Sequence, residues 1–120
     1  MIFAFIEDGT IDVVENEAAA QSHSEPVDVE NGVVIFYSED GTYLRPRFTK
    51  SNRLLFGLVL EQGEFDLVPA PDGDPTIDPF DVAVREAIIV NPNPYFQSTE
   101  DIRRYVETRR TENRAGLREV

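Results

Sequence analysis

Residues 2–14 read Ile2-Phe3-Ala4-Phe5-Ile6-Glu7-Asp8-Gly9-Thr10-Ile11-Asp12-Val13-Val14, two apolar runs on either side of Asp8-Gly9. Such runs around an Asp-Gly pair signal a β-hairpin, with glycine supplying the positive φ that a two-residue type I′ loop imposes. In that register Glu7 faces Thr10 and Ile6 faces Ile11. Ile2, Ala4, Ile6, Ile11 and Val13 then share the core side.

The same reading extends along the chain. A second hairpin runs from Val33 to Arg47 around Asp40-Gly41, with Val33, Ile35, Tyr37 and Leu44 on one face. A third is expected from Phe56 to Val68 around Gln62-Gly63. It places Leu58, Leu60, Phe65 and Leu67 on one face and sets Glu61 opposite Glu64, a mildly unfavourable pair. Glu-Asp-Gly-Thr occurs twice, at residues 7–10 and 39–42, and is read as turn chemistry rather than an internal repeat.

Helices are expected in three places. Glu15 to Ser24 contains Ala18-Ala19-Ala20 with Asn16 as N-cap and Pro26 beyond its end, which reads as a short helix after the first hairpin. Four prolines in residues 69–79 make that stretch a turn-rich connection. Asp78 as N-cap and Pro79 at the first helical position then start a helix whose apolar stripe is Phe80, Ala83, Val84, Ala87 and Ile88. Asn91-Pro92-Asn93-Pro94 ends it. Ser98 with Asp101 opens the last helix, which buries Ile102, Tyr105 and Val106 and carries Glu100–Arg104 and Arg103–Glu107 as surface pairs. Fraying is expected after Asn113, giving one domain over residues 1–113 and a frayed tail over 114–120.

The predicted fold class is α+β. It is a mainly antiparallel sheet of about six strands built from three hairpins, with the two later helices on one face and the short helix beside the first hairpin.

Charge narrows the partners. The 120-residue chain has a formal charge of −12, and its first 44 residues hold ten acids and no Lys or Arg. Such a field repels phosphate backbones, so nucleic acid is not an expected partner. The N-terminal apolar run is too short for a signal peptide, and no stretch approaches the ~20 apolar residues of a membrane helix. The expected setting is therefore cytoplasmic, with no membrane partner. Cysteine is absent, which removes disulfides, thiolate metal sites and a cysteine nucleophile.

Chemistry-bearing motifs are sparse. His23, the one histidine, lies between two serines and reads as a solvated surface residue. Asp72-Gly73-Asp74 with Asp78 resembles the start of a calcium loop, but Pro75 stiffens it and Ala83 stands where the closing Glu belongs. No catalytic residue, metal ligand or cofactor is assigned, and no family motif is recognised. Arg45, Arg47, Lys50 and Arg53 read as neutralising the neighbouring acids. Tyr95 and Phe96 read as tucked under the sheet.

The leading expectation is a noncatalytic, acidic protein-binding module, in one version an immunity or antitoxin-like inhibitor that occludes a basic surface on its partner. Glu7, Asp8, Asp12, Glu39 and Asp40 are its expected contacts, brought by two hairpin turns to one edge. Two alternatives stand beside it. One is a small enzyme or anion-binding domain with Tyr43, Arg45 and Arg47 in a pocket between sheet and helices. The other is a homodimer joined through a sheet edge.

Overall fold

A computed structural model describes residues 1–119, with side chains through Arg114. The elements follow in the order β1 (Ile2–Ile6), β2 (Thr10–Val14), α1 (Glu17–His23), α2 (Pro26–Glu30), β3 (Val34–Ser38), β4 (Tyr43–Lys50), β5 (Arg53–Leu55), β6 (Leu58–Glu61), β7 (Glu64–Ala70), α3 (Phe80–Glu86), β8 (Ile89–Val90) and α4 (Thr99–Glu119). The fold is α+β, as expected. A six-stranded sheet has the order β7-β4-β3-β1-β2-β8, antiparallel except where β2 meets β8, and β5 and β6 form a separate two-stranded sheet. Among the described residues no helix is long and apolar enough to cross a membrane.

Both faces of the large sheet are covered. Phe3, Phe5, Ile11 and Tyr37 meet Phe80 and Val84 of α3 and Ile102 and Val106 of α4. On the opposite face Ile2, Ala4, Val14, Phe36, Leu44 and Phe65 meet Ala20 of α1 and Val29 of α2. The two C-terminal helices thus share one face, and the short helix α1 takes the other together with α2, a turn of helix that was not expected. Two-sided burial explains why β1 is apolar at every position instead of alternating.

It also corrects the registers of the first two hairpins. Phe5, not Ile6, faces Ile11, and Tyr37 faces Tyr43. In both turns the glycine N–H reaches back three residues, Gly9 to the Ile6 carbonyl at 3.0 Å and Gly41 to the Ser38 carbonyl at 2.9 Å. Only the glycine of each has positive φ. This is a type I turn followed by a left-handed glycine, one residue longer than the expected type I′ loop, and a one-residue slip exchanges the faces. Ile11 and Val13 therefore lie with Phe3 and Phe5, away from Ile2 and Ala4. The repeated Glu-Asp-Gly-Thr is this turn twice: Asp8 Oδ1 accepts from Thr10 N–H at 2.9 Å, and Asp40 Oδ1 from Thr42 N–H at 3.1 Å.

The third hairpin is also corrected. β7 pairs with β4, from Tyr43↔Ala70 to Lys50↔Glu64, and β5 pairs with β6 around a turn at Phe56-Gly57. Residues 43–70 thus form one long ribbon, interrupted at residues 51–52 and 62–63. Gln62-Gly63 lies in the interruption, and its glycine is required by close approach: a Cβ there would stand 2.2 Å from the Lys50 carbonyl oxygen.

Helix starts follow local chemistry. Asn16 caps α1, accepting from Ala19 N–H at 2.8 Å. At α3 the cap position is Pro79, one residue later than expected, and Asp78 instead offers its carbonyl to the Tyr37 hydroxyl at 2.5 Å. Ser98 Oγ accepts from Asp101 N–H, and Asp101 reaches back to Gln97 N–H, both at 3.2 Å. Glu100 pairs with Arg104 as expected. Arg103 also turns to Glu100, at 2.5 Å, instead of to Glu107, and holds the Glu100 carboxyl down at about 2. The expected tail concerns residues whose side chains, from Ala115 on, lie outside those described.

Helix α1 does more than cover a face. Glu17 accepts from Leu67 N–H at 2.6 Å, and Gln21 donates to the Phe65 carbonyl at 2.9 Å. One turn of α1 thereby occupies the outer edge of β7, where an unpaired strand would otherwise present free donors and acceptors.

Candidate protein-docking surface

The β5–β6 hairpin leaves the main sheet from the end of the β4–β7 ladder and makes only marginal contact with other elements. From Leu54 to Leu60 every residue except Gly57 is a large apolar one. Burial does not follow: Leu54, Leu55, Leu58, Val59 and Leu60 are all exposed, and Phe56 at the tip is 95 % exposed. Leu54 pairs with Val59 and Leu55 with Leu58, so both faces of the ribbon are apolar. Leu58 and Leu60 were expected in the core. The third hairpin's true register carries them out of it.

The tip is conformationally unusual. Phe56 has φ +51° and Gly57 φ +80°, the pattern of a type I′ turn with phenylalanine where Asn or Asp is favoured. Among the described residues it is the one non-glycine with positive φ.

The base of the hairpin is held firmly. Asn52 donates to Glu30 of α2 at 2.5 Å and accepts from Gly63 N–H at 2.6 Å, while Gln62 accepts from Val27 N–H at 3.1 Å, capping α2. Glu61 pairs with Lys50 and, at 3.5 Å, with Arg53. The hydrogen bond from Lys50 holds the Glu61 carboxyl below its usual range. Charges therefore flank the apolar segment, with two cations sharing one carboxylate at its root.

The five acids expected to meet a basic partner are not brought together. Ile2 faces Ser38 and Ile6 faces Val34, so the turns holding Glu7-Asp8 and Glu39-Asp40 lie at opposite ends of the sheet. Glu39 accepts from Tyr105 at 3.1 Å and Arg109 at 3.0 Å and lies 3.5 Å from the N-terminal amine. Asp40 offers its carbonyl to Arg110 at 2.8 Å. Burial pushes the Asp40 carboxyl up, but hydrogen bonds from Ser38 and Thr42 outweigh it and hold the group below its ordinary range. These two acids anchor α4. Asp12 is buried, bonded to Asn91 and 3.1 Å from His23 Nε2. His23 is thus half of an ion-pair geometry rather than free in solvent. Glu7 and Asp8 remain exposed.

The anion-binding residues are likewise dispersed. Arg47 is clasped by Asp66 at 2.6 and 3.0 Å, and Arg45 is exposed on the strand. Tyr43 lines a cleft of about 580 Å³ between sheet and helices; neither arginine lines it, although the charge of Arg45 acts on Tyr43 and Asp74 there. That cleft carries Asp40, Asp72, Asp74 and Asp78 with one cation, Arg110, itself bonded to Asp81 at 3.0 Å. A neighbouring cleft of about 500 Å³ beyond Ile77 and Asp78 is lined by Phe5, Tyr37, Ala83 and Glu86 among others. The Tyr37 hydroxyl at their junction is pushed up by burial and by the charge of Asp78. Among the described residues no group of three or more His, Asp or Glu is placed to hold a metal ion. Phe96 is buried against Phe3, while Tyr95 stays half exposed and reaches Glu15.

No protein-family model, no curated protein and no solved structure matches this chain.

Proposed function

We propose that this chain is a noncatalytic protein-binding module whose working surface is the β5–β6 hairpin. The observation that carries the reading is the uncharged apolar segment Leu54–Leu60, exposed on both faces of a ribbon with a firmly held base. An isolated two-stranded hairpin is marginally stable in water, and apolar side chains gain most when a second surface removes them from it. Holding the base in advance lowers the ordering cost of association. A fully exposed phenylalanine at the tip is the kind of aromatic anchor that dominates interface energetics.

The finer version, an immunity or antitoxin-like inhibitor covering a basic cleft, draws on the charge of −12. Of its five named acids only Glu7 and Asp8 are exposed and make no side-chain contact beyond their own turn among the described residues. Their part would be long-range steering rather than contact.

The test compares three baits in native lysate, with retained proteins quantified by mass spectrometry: the wild-type chain, Phe56→Asp with Leu58→Asp, and Glu7→Gln with Asp8→Asn. Retention lost only in the hairpin variant supports the reading. Retention lost only in the acidic-turn variant returns the contact to Glu7 and Asp8 and overturns it.

A further inference from the structure

We infer that the hairpin's partner is a second copy of this chain, the two β5–β6 hairpins packing together across a two-fold axis. The inference rests on reading the hairpin as a docking surface and adds the identity of what covers it.

Area is the first argument. The exposed fractions of Leu54, Leu55, Phe56, Leu58, Val59 and Leu60 amount to apolar surface on the order of 600–700 Å². That reaches or exceeds the roughly 300–600 Å² of the largest patch on an ordinary monomer. It is close to the ~800 Å² that each partner contributes to a standard interface. The sum is shared between the two faces of the ribbon, which meet at Phe56, so a contact through one face buries about half of it per copy and gives an interface at the small, weak end of the range.

Shape is the second. A two-fold interface uses the same patch twice, so the patch must complement itself. β5 and β6 pair only with each other, which leaves each an unpaired outer edge, and the ribbon is apolar on both sides. Joined edge to edge they complete a four-stranded sheet, and joined face to face they bury leucine against leucine. Either arrangement removes the marginality of a lone ribbon.

Charge is the third. Two chains of −12 repel at most orientations. The hairpin is where that repulsion is least, since residues 54–60 carry no charge and at the base two cations, Lys50 and Arg53, share the one carboxylate of Glu61 in a chain that is otherwise strongly acidic. Self-association here therefore has an unusual salt response. Added salt screens the repulsion and leaves the apolar contact intact, so the dimer tightens as ionic strength rises. An acid-steered complex with a basic partner does the reverse.

The experiment is sedimentation equilibrium of the purified chain from about 1 to 100 µM, at low and high sodium chloride, for wild type, for Phe56→Asp with Leu58→Asp, and for Glu7→Gln with Asp8→Asn. Circular dichroism checks that each remains folded. Wild type should reach twice the 13.6 kDa chain mass, with dissociation constants several-fold lower in high salt. The hairpin variant should stay at chain mass, and the acidic-turn variant should dimerise at least as well as wild type. A wild-type dimer that survives the hairpin substitutions, or that dissociates as salt is added, overturns the inference. A monomeric wild type also overturns it, and the bait comparison then decides the reading beneath. Hairpin-dependent retention of another protein leaves the docking surface standing with a different partner, and hairpin-independent retention removes both.

Discussion

Replacing Leu58 by alanine should leave the fold almost untouched, while replacing Leu44 should come close to unfolding it. Leu44 is 6 % exposed and packs with Phe36 and Phe65 between sheet and helix, whereas Leu58 is 69 % exposed on the hairpin. Truncating a buried leucine removes its transfer free energy and leaves a cavity, together about 2–5 kcal/mol. Truncating an exposed one stays within about 0.5 kcal/mol. With a urea dependence of about 1–3 kcal/mol/M, the Leu44→Ala midpoint falls by roughly 1–2 M and the Leu58→Ala midpoint barely moves. The assay is a urea titration followed by circular dichroism, at protein dilute enough to be monomeric, because association adds its own concentration-dependent stability. Leu60→Ala should behave as Leu58→Ala. Equal midpoint losses for Leu44→Ala and Leu58→Ala in the dilute sample would refute the reasoning, because they would put the hairpin leucines in the monomer's own core.

Gly63→Ala should lower the melting temperature, by a destabilisation of about 1–3 kcal/mol, because its Cβ would fall 2.2 Å from the Lys50 carbonyl oxygen and 2.9 Å from Asn52 N. Phe56→Asn should stabilise the tip, since Asn adopts positive φ more readily at a position where other L-residues are disfavoured by about 1–2 kcal/mol. Amide exchange at Leu55 and Leu58 should slow in the monomer, and the dimer should weaken with loss of the ring. Asp40→Asn should flatten the acid limb of stability. The folded Asp40 carboxyl lies below its ordinary 3.8, so the unfolded chain binds the proton first as pH falls. The stabilisation is full above about pH 4–5 and is lost as pH drops through the folded value; melting temperatures of both proteins from about pH 6 to 2 measure it.

Much of the fold was legible because Asp-Gly turns and helix caps are local signals. Asp8-Gly9, Asp40-Gly41, Asn16 and Ser98 each sit where their chemistry places them. Register was not legible to one residue. A type I turn with a following left-handed glycine and a type I′ turn are both written Asp-Gly, and their difference exchanges the faces. The unbroken apolarity of Ile2–Ile6 was the available sign that both faces are buried. The third hairpin was missed because Gly63 resembled a turn glycine while Phe56-Gly57 defied turn preference. Leu58 and Leu60 of the proposed docking surface were therefore assigned to the core. Conversely, Glu39 and Asp40 looked free in sequence. What engages them, Arg109 and Arg110, lies seventy residues on.

The contact of α1 with β7 bears on how many chains can join. Glu17 and Gln21 already occupy donors and acceptors at that end of the large sheet, and β8 at the other end is two residues long. Strand-by-strand growth into filaments is thereby closed off at one end of the sheet and has only a two-residue edge at the other. The proposed two-fold assembly through the hairpin uses the same patch on both members and leaves the second outer edge of each ribbon unpaired. The helix turn that shields β7 thus closes that end of the large sheet to strand addition and leaves the β5–β6 ribbon as an open edge of the chain.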